Sequence, residues 1–229
     1  MVLEVIATTV CEAIQIEQAG ADRIELVSSM KEGGLTPSIS LIKQVCDKVS
    51  IPVNVIVRPH AKSFVYDKYD KQVILNDIIE ISKTKANGIV FGALTNDNEI
   101  DFDLLEKVIA EKKHLKLTFH RAIDRSKNIL LSTKQLMNYN IDYILSSGGE
   151  KTAMLGINNL IKMNELAIKH NKKIIAGAGI TLENIALIKE KTNIFELHIG
   201  RAARFENNIF NNIDQNIIKT IKKTNISSL

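Results

Sequence analysis

The sequence predicts an α/β fold of one domain, a (β/α)8 TIM-type barrel with parallel strands. Short apolar runs rich in β-branched residues alternate eight times with longer segments whose apolar residues recur at helical spacing. The length of 229 residues lies in the range in which such a barrel folds as a single domain. The alternative is an open, doubly wound sheet, but Ala7-Thr8-Thr9-Val10 after the first strand lacks the glycine-rich fingerprint of that fold.

The predicted strands are short and end at charged, small or turn-forming residues. The third ends at Arg58-Pro59, and the last three are followed within a few residues by glycine. In chain order the strands cover residues 2–6, 23–26, 52–57, 88–91, 116–119, 143–145, 173–176 and 195–198.

The predicted helices are recognised by their spacing and by their boundaries. The first stops at Gly20, and the fourth has Asp101 as its N-cap. The third carries Val73, Ile74, Ile78 and Ile81 on one face. In chain order the helices cover residues 10–18, 39–49, 69–84, 101–113, 126–139, 157–170, 181–191 and 212–223. No linker or change of composition interrupts this series, so one domain is expected over residues 1–229.

Composition argues against several classes of partner. Hydrophobic residues make up 45% of the chain and charged residues 24%, as in a soluble globular protein. Lysine and arginine are scattered, aromatic residues are only 5% and tryptophan is absent, so nucleic-acid binding is not expected. No apolar run approaches the roughly 20 residues of a membrane helix, and no signal peptide is recognised. A cytoplasmic location without membrane binding is therefore the expectation.

The two cysteines give no sign of a disulfide framework or a zinc site. Cys11 and Cys46 are far apart, which suits a reducing compartment. Both fall in predicted helices, where a small buried residue is the simplest interpretation.

Charged and polar side chains cluster where the predicted strands end, which is where the active sites of barrels lie. Pairing among these groups in a wet barrel mouth is the alternative to catalysis. The candidate catalytic residues are Glu4, Glu25, Arg58, His120, Asp124 and His198. His120 with Asp124, or His198 with a glutamate, would suit general acid–base chemistry. The same groups would suit a metal, although no two have the spacing of a local ligand pair.

Glycines after strands six, seven and eight predict an anion site, because exposed backbone N–H groups bind phosphate in many barrels. Tight turns without a ligand are the alternative. Arg201 and Arg204 would add positive charge. The residues expected to contact a ligand are Arg121, His60, Ser147, Gly148, Gly177, Gly179, Gly200 and Arg201.

The segment Thr118-Phe119-His120-Arg121-Ala122-Ile123-Asp124 is similar to the T-F-H-R-A-F-D signature of the copper homeostasis (CutC) proteins. Further similar segments cover residues 20–26, 32–38, 57–59, 88–94, 145–148, 176–180 and 196–198. The resemblance extends over roughly residues 2 to 205. It implies a (β/α)8 barrel, a cytoplasmic location, a homo-oligomer (a dimer or larger) and a role in copper handling.

The chain departs from this family at the positions that matter most for copper. Family members proposed to bind copper(I) carry cysteines where this chain has Ile6 and Val27, and His60 replaces an arginine. Copper(I) prefers soft thiolate ligands. The absence of these cysteines therefore weakens the expectation, implied by the resemblance, that copper(I) is a cofactor.

Three functions remain open. The first is a copper homeostasis protein with a polar pocket at the barrel mouth. The second is an enzyme that uses acid–base chemistry on a small anionic or phosphorylated metabolite. The third is a non-catalytic scaffold whose oligomer surface matters most.

Overall fold

The eight strands close into a parallel barrel, so the predicted fold class is confirmed. The structure is a computed structural model that describes residues 1–224. The single domain expected over residues 1–229 therefore includes five residues, 225–229, that lie outside the described residues. The strands are β1 Val2–Ala7, β2 Arg23–Leu26, β3 Val53–Ile56, β4 Gly88–Phe91, β5 Lys116–Phe119, β6 Tyr143–Ser146, β7 Lys173–Ala176 and β8 Glu196–Ile199.

Helices follow the strands and cover the outside of the barrel. Several begin at a side chain that accepts a hydrogen bond from the first turn, as Thr9, Ser38, Asp101 and Asn128 do. The helices are α1 Val10–Gln18, α2 Ile39–Lys48, α3 Lys68–Ile81, α4 Phe102–Glu111, α5 Ile129–Leu136, α6 Ile157–Lys169, α7 Ile185–Thr192 and α8 Gln215–Thr224.

Three predicted helices begin too early, and each has a local cause. Before α5, residues Arg121–Arg125 form a short 3-10 helix, and Asn128 then caps the α-helix. Before α7, the Asn184 side chain accepts from the N–H of Thr181 and closes a turn instead. Before α8, Ile213 makes an isolated bridge with Arg204.

Two further expectations are corrected. Glu4 does not lie at the end of β1 but in its middle, paired with Arg23 of β2 and His198 of β8. Its side chain therefore lies deeper in the barrel than the mouth. Cys11 is exposed on α1 and only Cys46 is buried, so the expectation that both are buried is wrong for Cys11.

Arg204 does not reach the predicted anion site either. Its side chain is 1% exposed, and its Nη1 and Nη2 donate to Glu12 of α1 over 2.6 and 2.9 Å. Arg204 therefore holds the segment after β8 against α1. Across residues 1–224, none of the helices has the length and apolar character needed to cross a bilayer.

Candidate functional site

A cavity of about 1080 Å³ opens at the carboxyl ends of the strands. The structure brings most of the residues proposed from the sequence into its wall. They are Glu25, Arg58, His120, Arg121, Asp124, Gly179, His198, Gly200 and Arg201. Among the described residues, the wall does not include Glu4, His60, Ser147, Gly148 or Gly177.

A chain of three titratable groups forms the floor of the cavity. His198 lies between two glutamates, with Nδ1 2.8 Å from Glu4 Oε1 and Nε2 3.4 Å from Glu25 Oε2. All three side chains are at least nine-tenths buried. Glu25 and His198 face the cavity, while Glu4 lies behind the histidine. This is the arrangement of a proton-carrying pair whose histidine is oriented by a second carboxylate.

The two glutamates have opposite electrostatic environments. Burial alone would raise the pKa of Glu4, but Arg23 and His198 outweigh it and lower the pKa to about 2. Burial raises the pKa of Glu25 to about 7, against the opposing attraction of His198. The pKa of His198 is raised by Glu25 and Glu4, although burial opposes the shift. At neutral pH, Glu4 is ionised, whereas Glu25 both binds and releases a proton.

These shifts predict how stability depends on pH. A group whose pKa is higher in the folded state stabilises the fold at low pH and loses that contribution as pH rises through the shifted value. For Glu25 this window runs from 4.5 to about 7, and the His198 contribution is lost above 6.5. His120, whose pKa is lowered, acts in the opposite sense below pH 6.5 but contributes to both proteins. We therefore expect the melting temperature of the wild type, relative to that of Glu25→Gln, to fall between pH 5 and pH 8 in differential scanning fluorimetry. Equal slopes for both proteins would contradict the assignment.

Beneath Glu4, His198 and Glu25 lies a network of ion pairs that was not predicted from the sequence. Arg23 Nε donates to Glu4 Oε2 over 2.5 Å, and its Nη1 lies 3.0 Å from Glu196 Oε2. Glu196 also accepts from Lys173 Nζ over 2.8 Å. The only signal in the sequence was that charged residues interrupt apolar strands at Arg23 and Glu196. The network fixes the ionised state of Glu4, which in turn holds His198.

His120 is held as a neutral hydrogen-bond donor. Its Nδ1 accepts from the N–H of Ala122 over 3.2 Å, so the ring proton resides on Nε2. Burial, together with Arg58 and Arg121, lowers its pKa to about 3. Among the described residues, Nε2 has no hydrogen-bond partner although His120 is only 5% exposed. The expected pairing with Asp124 is not formed, and His120 cannot act as the base at neutral pH.

Gly92, which is not among the site residues proposed from the sequence, makes room for this imidazole. A Cβ at Gly92 would lie 2.4 Å from His120 Nδ1 and 3.1 Å from the Cβ of Ala122. At that distance a Cβ would force either the backbone at residue 92 or the His120 ring to move.

We expect Gly92→Ala to displace the His120 ring, so that a ligand of this ring should bind as weakly to Gly92→Ala as to His120→Ala. The added methyl group should cost about 1–3 kcal/mol of folding stability. Ligand titrations and denaturant unfolding of the two variants would test this. Normal ligand binding by Gly92→Ala would show that the imidazole is not constrained in this way.

Three of the five N–H donors of Arg58 are in use. Its Nη1 donates to the carbonyl oxygens of Glu32 and Gly34, over 2.8 and 3.2 Å. Its Nη2 donates to the carbonyl of Ala61 over 3.4 Å. Its Nε is buried and, within residues 1–224, has no partner. The Phe64 ring packs on both groups, with its centre 5.0 Å from Arg58 Cζ and 5.1 Å from the centre of the His120 ring.

Asp124 is occupied by structural hydrogen bonds. Its Oδ1 accepts from Ser146 Oγ over 2.6 Å and from the N–H groups of Ser147 and Gly149 over 3.1 Å. Its Oδ2 accepts from Arg121 Nε and Ser147 Oγ, both over 2.8 Å. With its lone pairs in use, Asp124 organises the loop after β6 and is a poor candidate for a base.

The glycines proposed as an anion site divide into two groups. The N–H groups of Gly148 and Gly177 donate to Ser146, over 2.8 and 3.0 Å, and so are not free for a ligand. Gly179 and Gly200 line the cavity beside the exposed Arg201. His60 lies in a shallow neighbouring depression, where its Nε2 is 3.0 Å from Asp70 Oδ2.

The donor atoms do not suit copper(I). Ile6 and Val27, at the family's cysteine positions, line the cavity and pack against Met30, Ile56 and Val90. Cys11 and Cys46 lie outside, on α1 and α2. Single ligand atoms of Glu4, Glu25 and His198 lie within 4.8 Å of one another. These are harder donors than copper(I) prefers, and Glu4 is already bound to Arg23.

Comparisons with known proteins agree with the motifs. The model of the CutC family matches residues 1–203. A CutC family protein of Pasteurella multocida is 39% identical over 190 residues, which cover 82% of this chain and 78% of the relative. A CutC family protein of Yersinia pseudotuberculosis serotype I is 40% identical over 197 residues, which cover 86% of this chain and 77% of the relative.

Solved structures give the same result. A Streptococcus agalactiae CutC protein, named for copper homeostasis, superposes with a TM-score of 0.81 at 28% identity and covers 87% of this chain and 98% of its own. Phosphoribosyl anthranilate isomerase of Thermotoga maritima superposes with a TM-score of 0.65 at 13% identity, covering 97% and 98%. At that identity the second likeness shows the fold alone.

Proposed function

The chain belongs to the CutC family, and from this premise we propose that its barrel mouth binds a small organic anion and transfers a proton to or from it. The observation that carries the proposal is the buried series Glu4–His198–Glu25, of which His198 and Glu25 line the cavity. Glu25 is the group that accepts or donates the proton. His198 shares that proton, and Glu4 orients the histidine from behind.

The charge of the wall supports an anionic ligand. Cationic side chains outnumber acidic ones there, and the carboxylate of Asp124 is already paired with Arg121. The cationic lining residues are Arg58, Lys62, Arg121, Arg125, Lys151 and Arg201. Such a rim raises the local concentration of anions and orients them toward the floor. In this proposal Arg58, His120, Gly179, Gly200 and Arg201 contact the ligand.

Copper is not the proposed ligand, because the donor atoms of Glu4, Glu25 and His198 do not suit copper(I). A cytoplasmic location is retained in the proposal, in keeping with the two unpaired cysteines. A homo-oligomer stays a prediction of the family resemblance.

The proposal is tested by a screen of small anionic metabolites. Thermal shift first identifies compounds that stabilise the protein, because a ligand of the folded state raises the melting temperature. Those compounds are then incubated with the protein in D2O, and loss of C–H signal is followed by proton NMR. We expect at least one compound both to bind and to exchange.

The variants Arg58→Ala and His120→Ala should weaken binding, while Lys83→Ala, at an exposed ion pair on the outer surface, serves as the control. If both pocket variants bind and exchange like the wild type, the pocket hypothesis fails.

A further inference from the structure

The wall formed by Arg58, Phe64 and His120 contains two buried donors without partners. Arg58 is 8% exposed and His120 is 5% exposed. Neither Arg58 Nε nor His120 Nε2 finds an acceptor among residues 1–224. An unpaired buried N–H is costly, and both residues line the cavity. The two nitrogens are enclosed, with the Phe64 ring packed on both groups, so an acceptor supplied by a ligand would satisfy them once this ring moves aside.

The number of free donors restricts what this acceptor can be. The terminal nitrogens of Arg58 are already directed to the carbonyls of Glu32, Gly34 and Ala61. Both N–H groups of Nη1 are in use, so the guanidinium cannot bind an oxyanion end-on through Nη1 and Nη2. The buried N–H groups of Arg58 Nε and His120 Nε2, both without partners among the described residues, form a pair suited to a single oxygen, as in an oxyanion hole.

A second wall of the cavity is apolar. Val27, Ile56 and Val90 form a small buried cluster, and Ile6 and Met30 pack against it. All of these except Val90 line the cavity. A hydroxyl or phosphoryl oxygen placed against these side chains would lose its hydrogen bonds to water without gaining new ones. Hydrocarbon groups would lose nothing.

From these two walls we infer that the ligand is a carboxylate with an apolar body. One carboxylate oxygen accepts from Arg58 Nε–H and His120 Nε2–H, the other faces the cationic rim, and the hydrocarbon part packs on Ile6, Val27 and Met30. This inference rests on the proposed function and names its substrate class. It also gives Ile6 and Val27 a role, since they determine specificity where the family resemblance placed metal-binding cysteines.

Isothermal titration with three probes tests the inference: acetate, isovalerate and inorganic phosphate. Each buried CH2 group strengthens binding by about fourfold, so isovalerate should bind at least about tenfold more tightly than acetate, and inorganic phosphate more weakly than isovalerate. Ile6→Ser should lower the ratio of isovalerate to acetate affinity by about fourfold or more. His120→Ala should weaken isovalerate binding about tenfold or more, and His120→Gln, which keeps an N–H donor, should restore part of it.

Equal affinity for acetate and isovalerate, or tighter binding of phosphate than of isovalerate, would overturn the inference. Its failure is distinguishable from that of the proposed function. Proton exchange on another anion that depends on Glu25 would leave the proposed function standing without this substrate class. Tight isovalerate binding together with proton exchange that does not depend on Glu25 would support this substrate class and contradict the proposed function.

Discussion

Replacing Arg23 with methionine is expected to lower the free energy of unfolding by about 3–5 kcal/mol. The guanidinium lies between Glu4 and Glu196, and all three side chains are at most 7% exposed. Methionine fills a similar volume but leaves two buried carboxylates without their shared cation. Removing one partner of a buried pair is costly because the remaining charge has lost its compensation.

Lys173→Met is the matched control. Lys173 binds the same Glu196, but its side chain is 61% exposed, so its loss should cost only about 0–1 kcal/mol. Urea unfolding followed by circular dichroism measures both changes. A similar cost for the two variants, or a cost below about 1 kcal/mol for Arg23→Met, would show that the buried network does not depend on Arg23.

Replacing Glu25 with glutamine is expected to reduce proton exchange on a bound substrate by about 10²- to 10⁴-fold, the usual contribution of a general base or acid. Glutamine has nearly the same shape and still contacts His198, but it cannot accept or release a proton. Ligand affinity should therefore change much less than the exchange rate.

Glu32→Gln is the control for this variant. Glu32 also lines the cavity, but it binds Arg58 through its backbone carbonyl and its side chain is exposed. The proton-exchange rate of the Glu32→Gln variant should remain that of the wild type, as measured by proton NMR in D2O. If Glu25→Gln retains a rate within about threefold of the wild type, Glu25 is not the proton-carrying group.

Much of the fold was predictable because alternating strand and helix patterns are local properties of the chain. Strand positions such as Gly88–Phe91 and Lys116–Phe119 agree with the prediction to the residue. Helix starts were less accurate near residues 126, 181 and 212. There, the 3-10 helix after β5, the Asn184 side chain and the bridge of Ile213 decide where the helix begins.

The candidate site was predictable only in part. Glu25, His120 and His198 could be found because they lie in, or directly after, the last residues of predicted strands, and the carboxyl ends of barrel strands converge. Their roles could not be found, since these depend on register and packing. Glu4 became an orienting group because β1 pairs with both β2 and β8. His120 became a donor because the Ala122 N–H occupies its other nitrogen.

The protonation of Glu25 is the most direct test of the central claim, since it needs no knowledge of the substrate. Carbon-detected NMR of the labelled side-chain carboxyl, assigned by comparison with Glu25→Gln, gives its titration curve. Burial at the cavity floor predicts a midpoint at about pH 7. A midpoint near 4.5, the ordinary value for a glutamate, would mean that Glu25 is fully ionised at neutral pH and would contradict the proposed proton transfer.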